Sequence, residues 1–340
     1  VNAFSPVEGL TVRRARDADR SAIAAFVEAH PDSKPFHLPQ WLEAVERGCG
    51  QRGHWLLAER GGAIVGALPL SEVRSPLFGS ALVSTGFAVG GGVLGEGVEQ
   101  LAEAAWSLAS DLGCASVELR GGPVPAGWAR EEGLYFGFDR ALPQDEEEIL
   151  KAIPRKQRAE VRRSLGFGLE ASVGRDLETH YRVYCESVRN LGSPVFPKAL
   201  FQAAIDGLDC DILTVSRGGK PLASVLSLYH RDTVYPYWGG GTAGARPWRA
   251  NDRLYFELMR HAARRGCTRF DFGRSKAGTG AFDFKKNWGF EPEPLVYAAK
   301  GEARETNPMS PRYRLQVKAW KKLPLWLANR LGPPIARGLG

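Results

Sequence analysis

The sequence predicts an α/β chain of the α+β kind, built from two similar units in tandem, and three observations lead there. Two stretches, 54–70 and 211–228, each read as strand, Arg-Gly-Gly turn, strand. Each is followed by a run of three glycines, Gly90–Gly92 and Gly239–Gly241. Each unit then shows a helix, a Gly-Cys step and a strand: 98–112, Gly113-Cys114 and 115–120, then 254–265, Gly266-Cys267 and 268–272. Matching landmarks lie about 150 residues apart, the spacing of a duplicated domain and not of a solenoid repeat. Hairpins on this scale predict mixed, mostly antiparallel sheets.

Taken in order, Leu10–Arg14 reads as a strand that feeds a helix, not as a signal peptide. Asp17 is expected to cap that helix, which runs to His30 with Ile23, Phe26 and Val27 as its apolar face. A second helix spans 38–47. A strand over 134–142 is expected to close the first unit. The expected domains are therefore 1–144, 145–300, which carries the main site, and a basic tail, 301–340. At the joint, Asp145 and Glu146–Glu148 open one helix and Lys151 lies near its end, in agreement with the helix dipole. Pro154 starts the next helix. On it Arg155, Arg158 and Arg162 lie on neighbouring faces, with Lys156 beside them. Such a ridge would hold a phosphate or a carboxylate; the alternative is a solvated helix face.

Composition narrows the function classes. The apolar and charged fractions, 44% and 24%, are those of an ordinary soluble protein. The longest weakly polar run, 81–95, is short and glycine-rich, which argues against a membrane span. Five scattered cysteines and six isolated histidines predict a reducing cytoplasm and neither a metal site nor a disulfide framework. From Thr306 onward there is no acid, but there are Arg312, Arg314, Lys318, Lys321, Lys322, Arg330 and Arg337, which equal the whole formal net charge of +7. Global basicity therefore says nothing of nucleic acid, and any anion site must be local. The tail mixes Leu315, Trp320, Leu323, Trp326 and Leu327 with those cations. That composition suits an interfacial helix on an anionic membrane, and a lipid-linked acceptor. The alternative is a helix docked on the body and broken in two by Pro324.

The richest stretch is 270–289. The strand Phe270-Asp271-Phe272 breaks at Gly273 into a glycine-rich loop carrying Arg274 and Lys276, and ends on the amphipathic turn Phe282-Asp-Phe-Lys-Lys-Asn-Trp288. Glycines let a backbone approach a ligand, and cations beside them suit an anionic one. An ordinary βα loop with surface charges is the plain alternative.

A helix pair, antiparallel strands, a Gly-rich turn, a helix and two last strands resemble the GNAT acyltransferase fold. Two in tandem resemble the FemAB (Fem/MurM) family, aminoacyl transferases that use aminoacyl-tRNA to extend peptidoglycan cross-bridges. The segment Pro154–Arg163 is similar to that family's basic helix start, and Phe284-Lys-Lys-Asn-Trp-Gly289 to its Phe-Lys-x-x-Phe-Gly motif. Trp238-Gly-Gly-Gly-Thr, Arg249-Ala-Asn-Asp and Phe270-Asp-Phe-Gly-Arg-Ser-Lys resemble in particular the FemAB-like proteins of exosortase and PEP-CTERM exopolysaccharide clusters. The resemblance implies an amine attacking an activated acyl carbonyl, with aminoacyl-tRNA, or else acyl-CoA, as co-substrate and no resident cofactor. It implies that Lys285 contacts a phosphate or the oxyanion and that Arg274 and Lys276 bind the anionic part of a substrate. Asp271 is either the base or an ion-pair partner of Arg274. Tyr237 and Trp238 either line the cleft or fill the core, and Asn251 either binds substrate or, with Asp252, caps a helix. Two departures stand out. No insertion is long enough for a helical arm, and Arg246–Asp252 stands where GNAT enzymes carry Arg/Gln-x-x-Gly-x-Gly/Ala for CoA. The competing readings are an N-acyltransferase that uses acyl-CoA or acyl-carrier protein, and a silent membrane-associated scaffold.

Overall fold

The computed structural model describes residues 9–302, 304 and 313–340. The chain forms two compact units, Val1–Glu132 with Val296–Thr306 and Arg337–Gly340, and Gly133–Leu295 with Asn307–Ala336.

The first unit opens with β1 (Leu10–Arg14), α1 (Arg20–Ala29) and α2 (Pro39–Cys49). Asp17 does not cap α1: a short 3-10 turn precedes the helix, and there the Asp19 carboxylate accepts from the Arg13 guanidinium at 2.6 and 2.9 Å and from the Arg16 N–H at 2.7 Å. Next come β2 (Arg52–Arg60) and β3 (Ala63–Ser75). Gly61 and Gly62 between them have φ of +59° and +82°, the left-handed pair that a two-residue hairpin turn needs. The stretch ends with β4 (Gly79–Ser84), β5 (Leu94–Gly95), α3 (Val98–Asp111), β6 (Ser116–Arg120) and β7 (Ala129–Glu131). Leu101, Ala105 and Leu108 of α3 pack with Leu56, Leu68, Leu82 and Val117 from the sheet to form the core.

The second unit runs β8 (Tyr135–Gly137), β9 (Asp139–Ala141), α4 (Glu146–Ala152), α5 (Arg155–Leu165), β10 (Glu170–Gly174), α6 (Leu177–Leu191), α7 (Lys198–Gly207), β11 (Cys210–Arg217), β12 (Lys220–His230), β13 (Thr233–Gly241), α8 (Ala250–Arg264), β14 (Arg269–Asp271), β15 (Ser275–Lys276), α9 (Gly280–Asn287) and β16 (Glu293–Pro294). Its main sheet has the order β10-β11-β12-β13-β14-β9, and β15-β8-β16 form a smaller one. The β11–β12 turn repeats the left-handed Gly-Gly pair at Gly218 and Gly219. Leu254, Leu258 and Met259 of α8 pack on Leu213, Val225 and Val234 of the sheet.

The last strand is β17 (Tyr297–Gly301), which pairs antiparallel with β6 and β7 in the first unit. This corrects the expected boundaries of 144 and 300. The segment 134–142 does not close the first unit. It forms β8 and β9, and β9 takes the outer edge of β14, with Arg140 opposite Phe270. Burial decides the matter: Phe138, between the two strands, is 0% exposed in the core of Phe270, Phe272, Trp288 and Phe290.

The tail forms α10 (Arg314–Trp320) and α11 (Leu325–Arg337), separated at Pro324 as its ring dictates. Residues 313–336 belong to the second unit, so the described part of the tail is no separate domain. Arg312 and the start of the tail lie outside the described residues. Among the described residues no helix is long and apolar enough to cross a membrane.

Candidate active site

The second unit's sheet opens at its centre. Strands β13 and β14 run parallel but pair only at Thr233↔Arg269 and Val234↔Phe270. Beyond that point β13 continues to Gly241, while the chain after Asp271 turns away at Gly273, whose φ is +67°. The other edge of β13 stays paired with β12 as far as Ala223↔Gly241. Alternate backbone groups of β13 past Val234 therefore point to a side with no partner strand among the described residues. A bulge at Tyr237, between the pairs Leu226↔Trp238 and Ser227↔Pro236, bends the strand at this point. The first unit is zipped instead: its parallel pair, β4 and β6, matches from Ala81↔Ser116 to Ser84↔Leu119, the last residue of β4.

At the far end of β13 the chain passes through a 3-10 segment, Ala243–Trp248, into α8. Arg249 precedes the helix in the left-handed region, at φ +53°, and no side chain caps the free N–H groups of the first turn. Beside it a pocket of about 480 Å³ is lined by Arg163, Ala243, Arg246, Pro247 and Arg249. Glu160 accepts from Arg249 Nε at 2.7 Å and from Arg163 at 3.1 Å. Glu186 also reaches the lining, where it accepts the Ala243 N–H at 2.7 Å. Three guanidiniums against these two carboxylates leave the pocket with an excess of positive charge, to which the α8 dipole adds. Both this helix and its counterpart in the first unit, α3, carry an acid in the first turn; in α8 it is Asp252, which is buried and bonded to Gln157, and in α3 it is Glu99.

Flanking the open edge is the loop after β14. Asp271 Oδ1 accepts the Gly273 N–H at 2.9 Å and shapes the turn. Arg274 and Lys276 both lie against the Tyr135 ring of β8, 4.5 and 5.1 Å from its centroid. Lys285, on α9, is buried, and its Nζ donates to the carbonyls of Gly273 at 3.1 Å and Arg274 at 2.9 Å. The rings of Phe138 and Phe272 lie 5.2 and 5.4 Å from the same atom. Burial pushes the Lys285 ammonium down to about 7; the nearby Asp271 charge opposes that shift and Arg274 adds to it. The lysine is placed by α9, which Thr279 caps by accepting the Phe282 N–H.

Residues 151–286 match the family model described as an acetyltransferase (GNAT) domain. The matched domain is that of an acyl-transferring enzyme. No curated protein matches the chain. Among solved structures the chain resembles FemX, with a TM-score of 0.65 at 14% identity, over 84% of this chain and 96% of that one. It also resembles a tandem GNAT protein from the clavulanic acid biosynthesis pathway, with a TM-score of 0.53 at 14% identity over 86% and 98%. L-PGS from Bacillus licheniformis gives 0.53 at 14% identity over 89% and 97%. The fold is thus that of tandem GNAT-like units, with the family match in the second.

The remaining predicted residues fall unevenly around the site. Trp238 is core: it is 3% exposed and packs against Phe201 with the ring centroids 4.4 Å apart and the planes tilted by 43°. Tyr237 is half-buried at the bulge. Asn251 and Asp252 do not cap α8. Asp252 accepts from Gln157 at 2.6 Å, and its burial raises its carboxyl above the usual range. Asn251 Oδ1 lies buried against Gly241 with no partner among the described residues, an acceptor that a ligand N–H or a water would satisfy. On α5 the expected ridge does not form as a unit. Arg158 donates to the carbonyls of Ile153 and Lys151 and so fastens the end of α4. Arg155, Lys156 and Arg162 are exposed, and the residue of this helix that reaches the arginine pocket is Arg163. The glycine run 239–241 is not a turn but the end of β13. Its purpose is close approach: a Cβ on Gly240 would lie 2.1 Å from Ser187 Oγ of α6. Arg246 and Arg249 were legible only as a departure from the GNAT glycine pattern; their cationic character was the signal that could have marked them. Among the described residues no group of His, Cys, Asp or Glu could hold a metal ion.

Proposed function

We propose that the chain is an acyltransferase of the Fem type, which moves an activated acyl group, an aminoacyl group from tRNA, to an amine acceptor in cell-envelope or exopolysaccharide assembly. The observation that carries this reading is the open β13 edge, which leads to an arginine-lined pocket at the start of α8. An extended donor arm adds to that edge through backbone hydrogen bonds, and its phosphate occupies the pocket. The acceptor nitrogen attacks the acyl carbonyl. The N–C bond forms, the ester C–O bond breaks, and the tRNA ribose oxygen leaves as the hydroxyl, taking the proton that the attacking nitrogen gives up by way of Asp271 or water. Backbone N–H groups of β13 stabilise the oxyanion. Arg274 and Lys276, braced on Tyr135, hold the anionic part of the acceptor, which the basic tail suggests is lipid-linked. In this scheme Lys285 acts through the loop it fastens and is a positioning residue.

A second reading, transfer from acyl-CoA, is favoured by the same pocket, since a helix N-terminus with arginines also suits a pyrophosphate. One experiment separates the two. Binding of charged tRNA and of acyl-CoA is measured at two salt concentrations for the wild type and for an Arg163→Ala/Arg246→Ala/Arg249→Ala variant. Salt-dependent tRNA binding, weakened at least about tenfold in the variant, supports the Fem-type donor. Acyl-CoA binding alone, lost in the variant, transfers the assignment to the second reading. Binding of either donor that ignores the three substitutions sinks the site.

A further inference from the structure

Helix α11 is docked the wrong way round for an ordinary surface helix. Its buried residues are small: Ala328, Gly332 and Ala336, spaced four apart on one face. A Cβ on Gly332 would lie 2.8 Å from the Val195 backbone nitrogen, so this face is fitted to close contact. Leu325, Leu327 and Ile335 are half-buried, but the largest side chain, Trp326, points out. Trp326 is 69% exposed, well round the helix from Ala328 and Gly332 and one turn from the exposed Arg330. Leu331, about 140° further round the helix, is 43% exposed. A helix that only had to cover the body would bury its tryptophan and expose its alanines.

Helix α10 shows the same combination. Leu315 is 77% exposed and lies among exposed Arg314, Lys318, Lys321 and Lys322. The tail is tied to α6: the Arg189 guanidinium donates to the carbonyls of Lys321 and Leu323. Beside that tie Leu191, the last residue of α6, is 67% exposed. The described tail therefore presents apolar side chains among six exposed cations, Arg337 being the sixth, and from Thr306 to the end the sequence has no acid.

We infer that α10 and α11 form a docking surface for an anionic lipid bilayer, with Leu315, Trp326 and Leu331 entering the interface and the cations meeting lipid headgroups. Charge complementarity selects the occupant: cations alone would suit any polyanion, but outward Trp and Leu among them suit a surface with an apolar layer beneath its charges. Tryptophan prefers that boundary, and lysine and arginine stems lie along apolar surface with their charges in water. The inference is independent of the acyl donor.

The test is co-sedimentation of the full chain with vesicles of phosphatidylcholine alone and of phosphatidylcholine with phosphatidylglycerol, at low and high salt. The variants are Leu315→Ser/Trp326→Ser and Lys318→Gln/Lys321→Gln/Lys322→Gln; circular dichroism melts check that both still fold, since all five side chains are exposed. The expected result is binding to the anionic vesicles only, weakened by salt and at least tenfold by either variant. Binding equal on neutral vesicles, no vesicle binding at all, or an apolar variant that binds like the wild type overturns the inference. So does binding of bulk tRNA, without vesicle binding, that the lysine variant alone abolishes. The Arg163→Ala/Arg246→Ala/Arg249→Ala variant should bind vesicles normally, so failure of the donor assignment and failure of this one are read separately.

Discussion

Lys285 shows how much one buried cation can organise. Its two hydrogen bonds to the carbonyls of Gly273 and Arg274 fix the loop that carries Arg274 and Lys276. Loss of charged hydrogen bonds of this kind costs roughly 1.5–3 kcal/mol each, partly offset by relief of the desolvation that depresses the lysine. Replacing Lys285 with alanine is expected to abolish transfer by releasing the loop, with the chain still folded; a variant with full activity on the true substrates refutes the assignment. The depressed titration also predicts a pH dependence. The folded lysine loses its proton near 7, whereas the unfolded one keeps it to its ordinary 10.5. Between those values the unfolded state binds more protons, so stability from this group rises with pH and is flat below about 7. Denaturant midpoints at pH 7, 8 and 9 should climb more steeply for the wild type than for Lys285→Met. Equal slopes would mean that Lys285 titrates normally.

At the scale of elements, the glycines of β13 are spacers for α6. Gly240→Ala would force a Cβ to 2.6 Å from Ser187 Cβ and 2.1 Å from its hydroxyl oxygen. Overpacking of this sort costs about 1–3 kcal/mol, to be seen as a lowered thermal midpoint. Adding Ser187→Gly should recover part of the loss; no recovery would locate the strain elsewhere. His180, two turns earlier on the same face of α6, illustrates the same tight packing. It is fully buried, bonded through Nδ1 to Ser224 Oγ at 2.9 Å, and burial lowers its imidazole to about 4. It is therefore a neutral core residue at physiological pH.

At the scale of the molecule, the exchange of the closing strands decides which fragments fold. A fragment 133–336 keeps β8, β9 and Phe138, and should melt cooperatively. A fragment 145–336 lacks them, leaves the outer edge of β14 bare and opens the aromatic core, and should not. Heat denaturation followed by circular dichroism compares the two, and a cooperative melt of the shorter fragment would return the boundary to residue 144.

What the sequence determined by itself is everything written in short-range geometry. The Gly-Gly pairs at 61–62 and 218–219 announced their hairpins because only left-handed backbone closes those turns. Pro324 announced the break in the tail, and the aromatic strand with its glycine loop announced where cations would gather. The duplication was legible because both units repeat these signals in one order. What tertiary structure alone decided is non-local. β8, β9 and β17 are three to five residues long, and strands this short carry no address; they go to whichever edge is open and whichever core takes their side chains. Neighbouring arginines look alike in sequence, yet helix phase sends Arg158 to the carbonyls of α4 and Arg163 to the pocket. The outward turn of Trp326 likewise follows from which face of α11 met the body, and composition does not record that.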